Sequence, residues 1–147
     1  MAPQVQTILL AVDFSETAQY LAEYASLFAK GLSARIVAVY VSPSMNRYAN
    51  LYVPPTSIQA LVEQILEGAN RVMEEFMASH FEGLEATGRV EYGYAPEKIL
   101  ETAKDVGADM IIMGTHGRRG VARIPFGSVA EKIVKTATIP VLTIRPV

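Results

Sequence analysis

The stretch that decides the fold is residues 110–134, MIIMGTHGRRGVARIPFGSVAEKIV. It opens on an apolar run that ends at Gly114. Gly117, Gly120 and Gly127 then punctuate a segment carrying three arginines and no acid. At Ser128 apolar residues resume at helical spacing. A short apolar run bounded by glycine reads as a strand buried on both faces, and such strands belong to parallel sheets covered by helices. Strand, glycine loop and helix, in that order, form one arm of an α/β unit.

The alternation continues outward in both directions. Before residues 109–114 lies PEKILETAKDVG (96–107), a short helix that Pro96 begins and Gly107 stops. LEATGRVEYGY (84–94) is a more polar strand that belongs near a sheet edge. A helix is expected over about residues 56–80, with Ile58, Leu61, Ile65, Ala69, Val72, Met73 and Phe76 on one stripe. Residues 42–57 lack periodicity, and Pro54-Pro55 argues against helix. That link is long against a usual connection of about 4–6 residues and reads as a lid or mobile flap. Residues 34–41 (ARIVAVYV) and 6–12 (QTILLAV) are buried strands. Between them Ala18, Leu21, Ala22, Ala25, Phe28 and Ala29 follow the helical period, with Ser15 or Asp13 to cap the start and Gly31 just past the end. After the glycine loop come a helix over 128–137 and a fifth strand over 139–147. The order βαβαβαβαβ predicts one α/β domain over residues 1–147: three layers, Rossmann-like, with a five-stranded parallel sheet and helices on both faces.

Composition narrows the function classes. A chain of 147 residues, half of them apolar, has the length of one domain and enough material for a core. A net charge of −2 speaks against a protein that coats nucleic acid. The absence of cysteine excludes disulfides, thiolate metal sites and cysteine nucleophiles. The N-terminus has no basic region and only a five-residue apolar run. No signal peptide or membrane span is therefore expected, and the protein reads as cytoplasmic. His80 reads as a solvated helix-end residue, and the six methionines as core filler.

In open α/β sheets ligands bind beyond the carboxyl ends of the strands. Those ends are Val12-Asp13, Val41-Ser42, Gly93 and Gly114-Thr115. The glycine loop leaves such an end and returns at Gly127-Ser128, where a helix begins with free N–H groups. Arg118, Arg119 and Arg123 add positive charge between the glycines. Together these features describe a phosphate cradle. A plain turn closed by a Ser128–Glu131 capping box is the alternative. The P-loop lysine motif is absent, and DFSETA after the first strand lacks Gly-x-Gly-x-x-Gly. A phosphoacceptor receiver domain would need an acidic pair, an Asp and a Lys at three strand ends. Here stand Asp13 alone, Tyr92-Gly93-Tyr94 and Arg145.

The spacing Gly114-x-x-Gly117, nine residues, Gly127-Ser128 resembles the nucleotide-binding signature of the universal stress protein family. ILLAVDFSETA (8–18), residues 93–117 and IPVLTIRP (139–146) resemble its first strand and turn, its third helix with fourth strand, and its closing strand. The resemblance is to the branch that binds ATP. It implies that Asp13 and the backbone of Ala11 and Val12 contact the nucleoside, and that Val41 reads the adenine edge. From the residues alone, a helix cap is the alternative for Asp13, and Val41 reads as core. Met113 and Gly114 would border the adenosine. Thr115, His116, Gly117, Arg118, Arg119 and Gly120 would line the phosphate path. Gly127, Ser128, Val129 and Ala130 would present the helix N-terminus. His116, a single imidazole with no acid beside it in sequence, reads as a loop contact and not a general base.

Two functions follow from this resemblance. One is a homodimeric stress-response module or switch that binds ATP, ADP or AMP, with Mg2+ or Mn2+ carried by the phosphates. It would pair through its C-terminal edge strand and act on a further protein partner, with no nucleic acid or membrane involved. The other is a slow ATPase or phosphoryl-transfer enzyme using the same site, its arginines stabilising developing charge.

Overall fold

The computed structural model describes residues 2–44, 55–116 and 126–145. Its elements are β1 (Thr7–Ala11), α1 (Ala18–Leu32), β2 (Arg35–Pro43), α2 (Pro55–Ser79), β3 (Ala86–Gly93), α3 (Ala95–Val106), β4 (Met110–Gly114), α4 (Ser128–Thr136) and β5 (Val141–Ile144). The strands form one parallel sheet in the order β3-β2-β1-β4-β5. β3 and β5 are its edges, as the polarity of the first and the terminal position of the second predict.

Strand pleating divides the core in two. Ile8, Leu10, Ile36, Ala38, Met110 and Ile112 face one side, where they meet Leu21, Ala22 and Ala25 of α1 and Met73 and Phe76 of α2. Leu9, Ala11, Val37, Val39, Ile111 and Met113 face the other side, against Ile99 and Ala103 of α3 and Ala130 and Ile133 of α4. Successive side chains point to opposite faces, so each central strand must be apolar throughout. The segregation of helices has a further cause. From β1 to β3 the chain steps one way across the sheet, and from β3 to β5 it steps back. Right-handed crossovers then place α1 and α2 on one face and α3 and α4 on the other.

Several local details differ from expectation. α1 does not stop at Gly31. It runs to Leu32, and Ser33 takes the left-handed conformation (φ 55°), while the Ala34 N–H reaches back to the Ala29 carbonyl at 2.9 Å. The turn into β2 places the helix end, and Gly31 stays helical. Neither Asp13 nor Ser15 is the cap of α1: Thr17 holds that position without a side-chain cap bond. Ser42 and Pro43, read as loop, extend β2 and pair with Tyr92 and Gly93, and Pro55 is the first residue of α2. The expected flap falls mostly on residues 45–54, outside the described residues. On α2 the predicted stripe is buried only at Met73 and Phe76, while Leu61 and Val72 remain 44% and 43% exposed. A helix of 25 residues is about 37 Å long. The eight-residue β3 beneath it spans about 26 Å, so about 11 Å of α2, roughly seven residues, extends beyond that strand. His80 is half-buried, not solvated, with its ring 4.8 Å from that of Phe76. Of the described methionines, Met73, Met110 and Met113 are buried and Met77 packs against the core, as expected of filler.

Candidate functional site

The reversal of connection direction leaves β1 and β4 as neighbours whose following segments diverge to opposite faces. A crevice must open between their carboxyl ends. A cleft of about 390 Å³ lies there, within the range of small-molecule sites.

β1 delivers Ala11, Val12 and Asp13 to its wall. The Val12 N–H bonds to the Val39 carbonyl at 3.0 Å, extending the pairing by one residue and fixing the exit direction. Asp13 Oδ1 accepts the Ser15 N–H at 2.9 Å, a local turn that orients the carboxylate. Between them Phe14 sits at φ 58°. A bulky residue in that region is strained by about 1–3 kcal/mol. Its ring lies 4.8 Å from Tyr40 and 6.0 Å from Phe76, and each such pair offsets about 0.5–1.5 kcal/mol. The turn that presents Asp13 is thus held from behind by aromatic packing.

β2 contributes Val39, Tyr40 and Val41. Val41 packs partly against the core and also borders the cleft. β4 contributes Met113 and Gly114, followed by Thr115 and His116. Thr115 is held by three bonds. Its N–H donates to the Ile144 carbonyl at 3.0 Å, its carbonyl accepts the Gly127 N–H, and its hydroxyl pairs with His116 Nδ1 at 3.0 Å. The strand end and the start of α4 are thereby locked together. Among the described residues, a Cβ built on Gly114 would meet nothing closer than 3.4 Å.

The last wall is the N-terminus of α4. Gly127 is its cap residue (φ −73°, ψ 168°) and Ser128 is already helical. The capping box therefore does not form: Ser128 is one position too far on, and the Glu131 carboxylate bonds Lys135 at 2.7 Å. The first intrahelical bond runs from the Glu131 N–H to the Gly127 carbonyl at 3.0 Å. The N–H groups of Ser128, Val129 and Ala130 precede that ladder and sit at the positive end of the helix dipole, and the three residues line the cleft.

The cleft thus brings together Ala11, Val12, Asp13, Val41, Met113, Gly114, Thr115, His116, Gly127, Ser128, Val129 and Ala130. Gly117, Arg118, Arg119 and Gly120, with Arg123, lie outside the described residues. Sequence reading missed Thr17, Leu21, Val39, Tyr40, Ala95, Ile99 and Phe126. Tyr40 and Phe126 stand beside predicted positions and were within reach. Ala95 and Ile99 belong to a helix distant in sequence, and only the sheet order brings them in.

Fold and cleft define an open, doubly wound α/β protein with a crevice at the switch point of its sheet. Residues 4–145 match the universal stress protein family, and the chain belongs to that family. None of the curated proteins compared matches it. Among solved structures, the hypothetical protein MJ0577 superposes with a TM-score of 0.84 at 26% identity, covering 97% of both chains. A universal stress protein family member from Burkholderia pseudomallei does so with 0.75 at 28%, covering 98% of both. Two relatives of similar fold were solved with nucleotides. An Archaeoglobus fulgidus protein in complex with dAMP has a TM-score of 0.60 at 22% identity over 94% of this chain and 96% of that one. A universal stress protein in complex with cAMP has 0.63 at 21% over 97% and 98%. No described helix is long and apolar enough to cross a membrane.

Proposed function

We propose that this chain is a cytoplasmic adenine-nucleotide-binding module, with ATP its principal ligand and ADP and AMP as further states. The observation that carries the proposal is the meeting, in one cleft, of a carboxylate at the end of β1 and the unladdered N–H groups of α4. A carboxylate suits the hydroxyls of a nucleoside, and a helix start suits phosphates. Asp13 has one oxygen engaged by the Ser15 N–H. The second carboxylate oxygen suits a ribose hydroxyl, since an ionised carboxylate accepts several bonds. The backbone at Val41, the last cleft residue of β2, suits the adenine edge. The N–H groups of Ser128, Val129 and Ala130 suit phosphate oxygens, with the dipole behind them. The dAMP and cAMP complexes of distant relatives support the choice of adenine. Among the described residues no group of three or more histidine or acidic side chains converges. A divalent ion arriving with ATP would therefore be held through the phosphates.

The same reading includes a homodimer. Among the described residues β5 pairs with β4 alone, which offers an edge that a second copy's β5 could complete. Nucleotide state would then alter the loops beside the pair and so the choice of a protein partner. Isothermal titration with ATP, ADP, AMP and GTP tests the ligand, with mass spectrometry of small molecules released from protein purified without added nucleotide. Absence of binding by any adenine nucleotide at millimolar concentration refutes the proposal. Sedimentation at micromolar concentration tests the dimer, and a monomer refutes that part. Phosphate release followed in the same samples separates a module that holds ATP from an enzyme that turns it over.

A further inference from the structure

A second cleft, of about 320 Å³, adjoins the first. Val41, Ala95, Ser128 and Val129 line both. Among the described residues the dividing wall is made of small or aliphatic side chains and helix-start backbone. Beyond the wall the second cleft is lined by Pro43 and Ser44 at the end of β2, Gly93 at the end of β3, and Tyr94 and Pro96 at the start of α3. No acidic or basic side chain is among these residues. Two prolines, a valine pair and a tyrosine ring make a surface for a flat, uncharged ring system, and one unsuited to a phosphate.

Tyr94 is the distinctive element. It is the cap residue of α3, with extended backbone (φ −82°, ψ 117°), and its carbonyl accepts the Lys98 N–H at 3.0 Å. Its position is thus fixed by the helix, yet it is 61% exposed. A large aromatic left open at the mouth of an apolar cleft is a stacking platform in search of a ring. The wall shared with the first cleft includes Ser128 and Val129, whose N–H groups are those assigned above to phosphate.

We propose that the second cleft receives the second base of a two-headed nucleotide, in which two nucleosides are joined through a phosphate chain. One nucleoside would occupy the first cleft, the phosphates would cross the start of α4, and the second base would stack on Tyr94. The proposal rests on the adenine-nucleotide reading of the first cleft and extends it to a ligand class.

The test is isothermal titration of the full chain with ATP and with diadenosine tetraphosphate, using wild type, Tyr94→Ala and Tyr94→Phe. The expected result is one dinucleotide per chain, bound about tenfold more tightly than ATP, in keeping with the stacking of one base on one aromatic ring. Tyr94→Ala removes that advantage and leaves ATP affinity unchanged, whereas Tyr94→Phe retains it. Equal affinities for the two ligands in wild type, or an advantage that survives Tyr94→Ala, overturns the proposal. So does a stoichiometry of one dinucleotide per two chains, which would place the second head in the first cleft of another copy. If ATP binds and the dinucleotide gains nothing, only this proposal fails. If ATP itself does not bind, the nucleotide reading falls and this one with it.

Discussion

Replacing Asp13 by asparagine separates the two roles that its carboxylate combines. One oxygen accepts the Ser15 N–H at 2.9 Å and shapes the turn after β1. The other is assigned to a ribose hydroxyl. Asparagine keeps an acceptor for the first role and puts an amide donor, without charge, in the second. The turn should survive, so the unfolding midpoint should stay close to that of wild type. Affinity for ATP should fall. A hydrogen bond to a charged group is worth about 1.5–3 kcal/mol, which is roughly 10- to 150-fold in Kd. Asp13→Ala removes both bonds. It should show the same loss of affinity plus about 0.5–1.5 kcal/mol of stability from the vacated turn, a shift of a few degrees in Tm for a chain of this length. Titration calorimetry reads the first quantity and thermal unfolding without ligand the second. If Asp13→Asn binds ATP as well as wild type does, the carboxylate is a turn-former only, and the assignment of the nucleoside end of the cleft is wrong.

Other substitutions test other parts of the argument. A Cβ at Gly88 would stand 2.5 Å from Met73 Cγ and 2.8 Å from its sulfur. Gly88→Ala should therefore cost about 1–3 kcal/mol in denaturant unfolding, and that cost should shrink when it is measured in a Met73→Ala background. Among the described residues the nearest atom to a Cβ built on Gly114 is 3.4 Å away, so Gly114→Ala should change stability by no more than about 0.5 kcal/mol. A fall in ATP affinity at unchanged Tm would show that glycine is needed for the ligand's approach, while a collapse of the fold would contradict the packing described. The hydrogen bond from Lys135 holds the Glu131 carboxyl below the ordinary glutamate range. The pair's contribution is present above the unfolded-state pKa and is lost as pH falls through the lower folded value. An NMR titration of Glu131 should move up to the ordinary range in Lys135→Ala.

Much of the architecture was legible because it follows from local rules. The apolar runs at 8–11, 36–39 and 110–113 have no polar face to offer solvent, so they had to be central strands of a covered sheet. Pro96 and Gly107 begin and end α3 as their backbone preferences dictate, the latter at φ 66°. The glycine-to-serine spacing marked the loop, and strand ends located the candidate cleft residues around it.

Helix ends and caps were less legible. Gly31 is as good a stop signal as Gly107, but α1 passes through it, because the end of that helix is set by where Ala34 must enter β2. The Ser128–Glu131 pattern fits a capping box, yet the box is not made. The bond between the Gly127 N–H and the Thr115 carbonyl anchors the start of α4 from a neighbouring strand. The half-exposed first part of α2 is likewise a matter of strand length beneath it, which its own apolar stripe does not encode.

The sequence by itself therefore determined the class of sheet, the alternation of elements and which strand ends carry a carboxylate, a glycine loop and a helix start. Only the tertiary structure decided the strand order. With β1 seated between β2 and β4, the ends of three strands and the start of α4 share one cleft, and Ala95 joins it to a second. Periodicity reports burial along one chain segment, while adjacency across a sheet depends on crossover direction and on which neighbours compete for the same edge. That physical difference is why the walls of the cleft could be named from residues and their meeting could not.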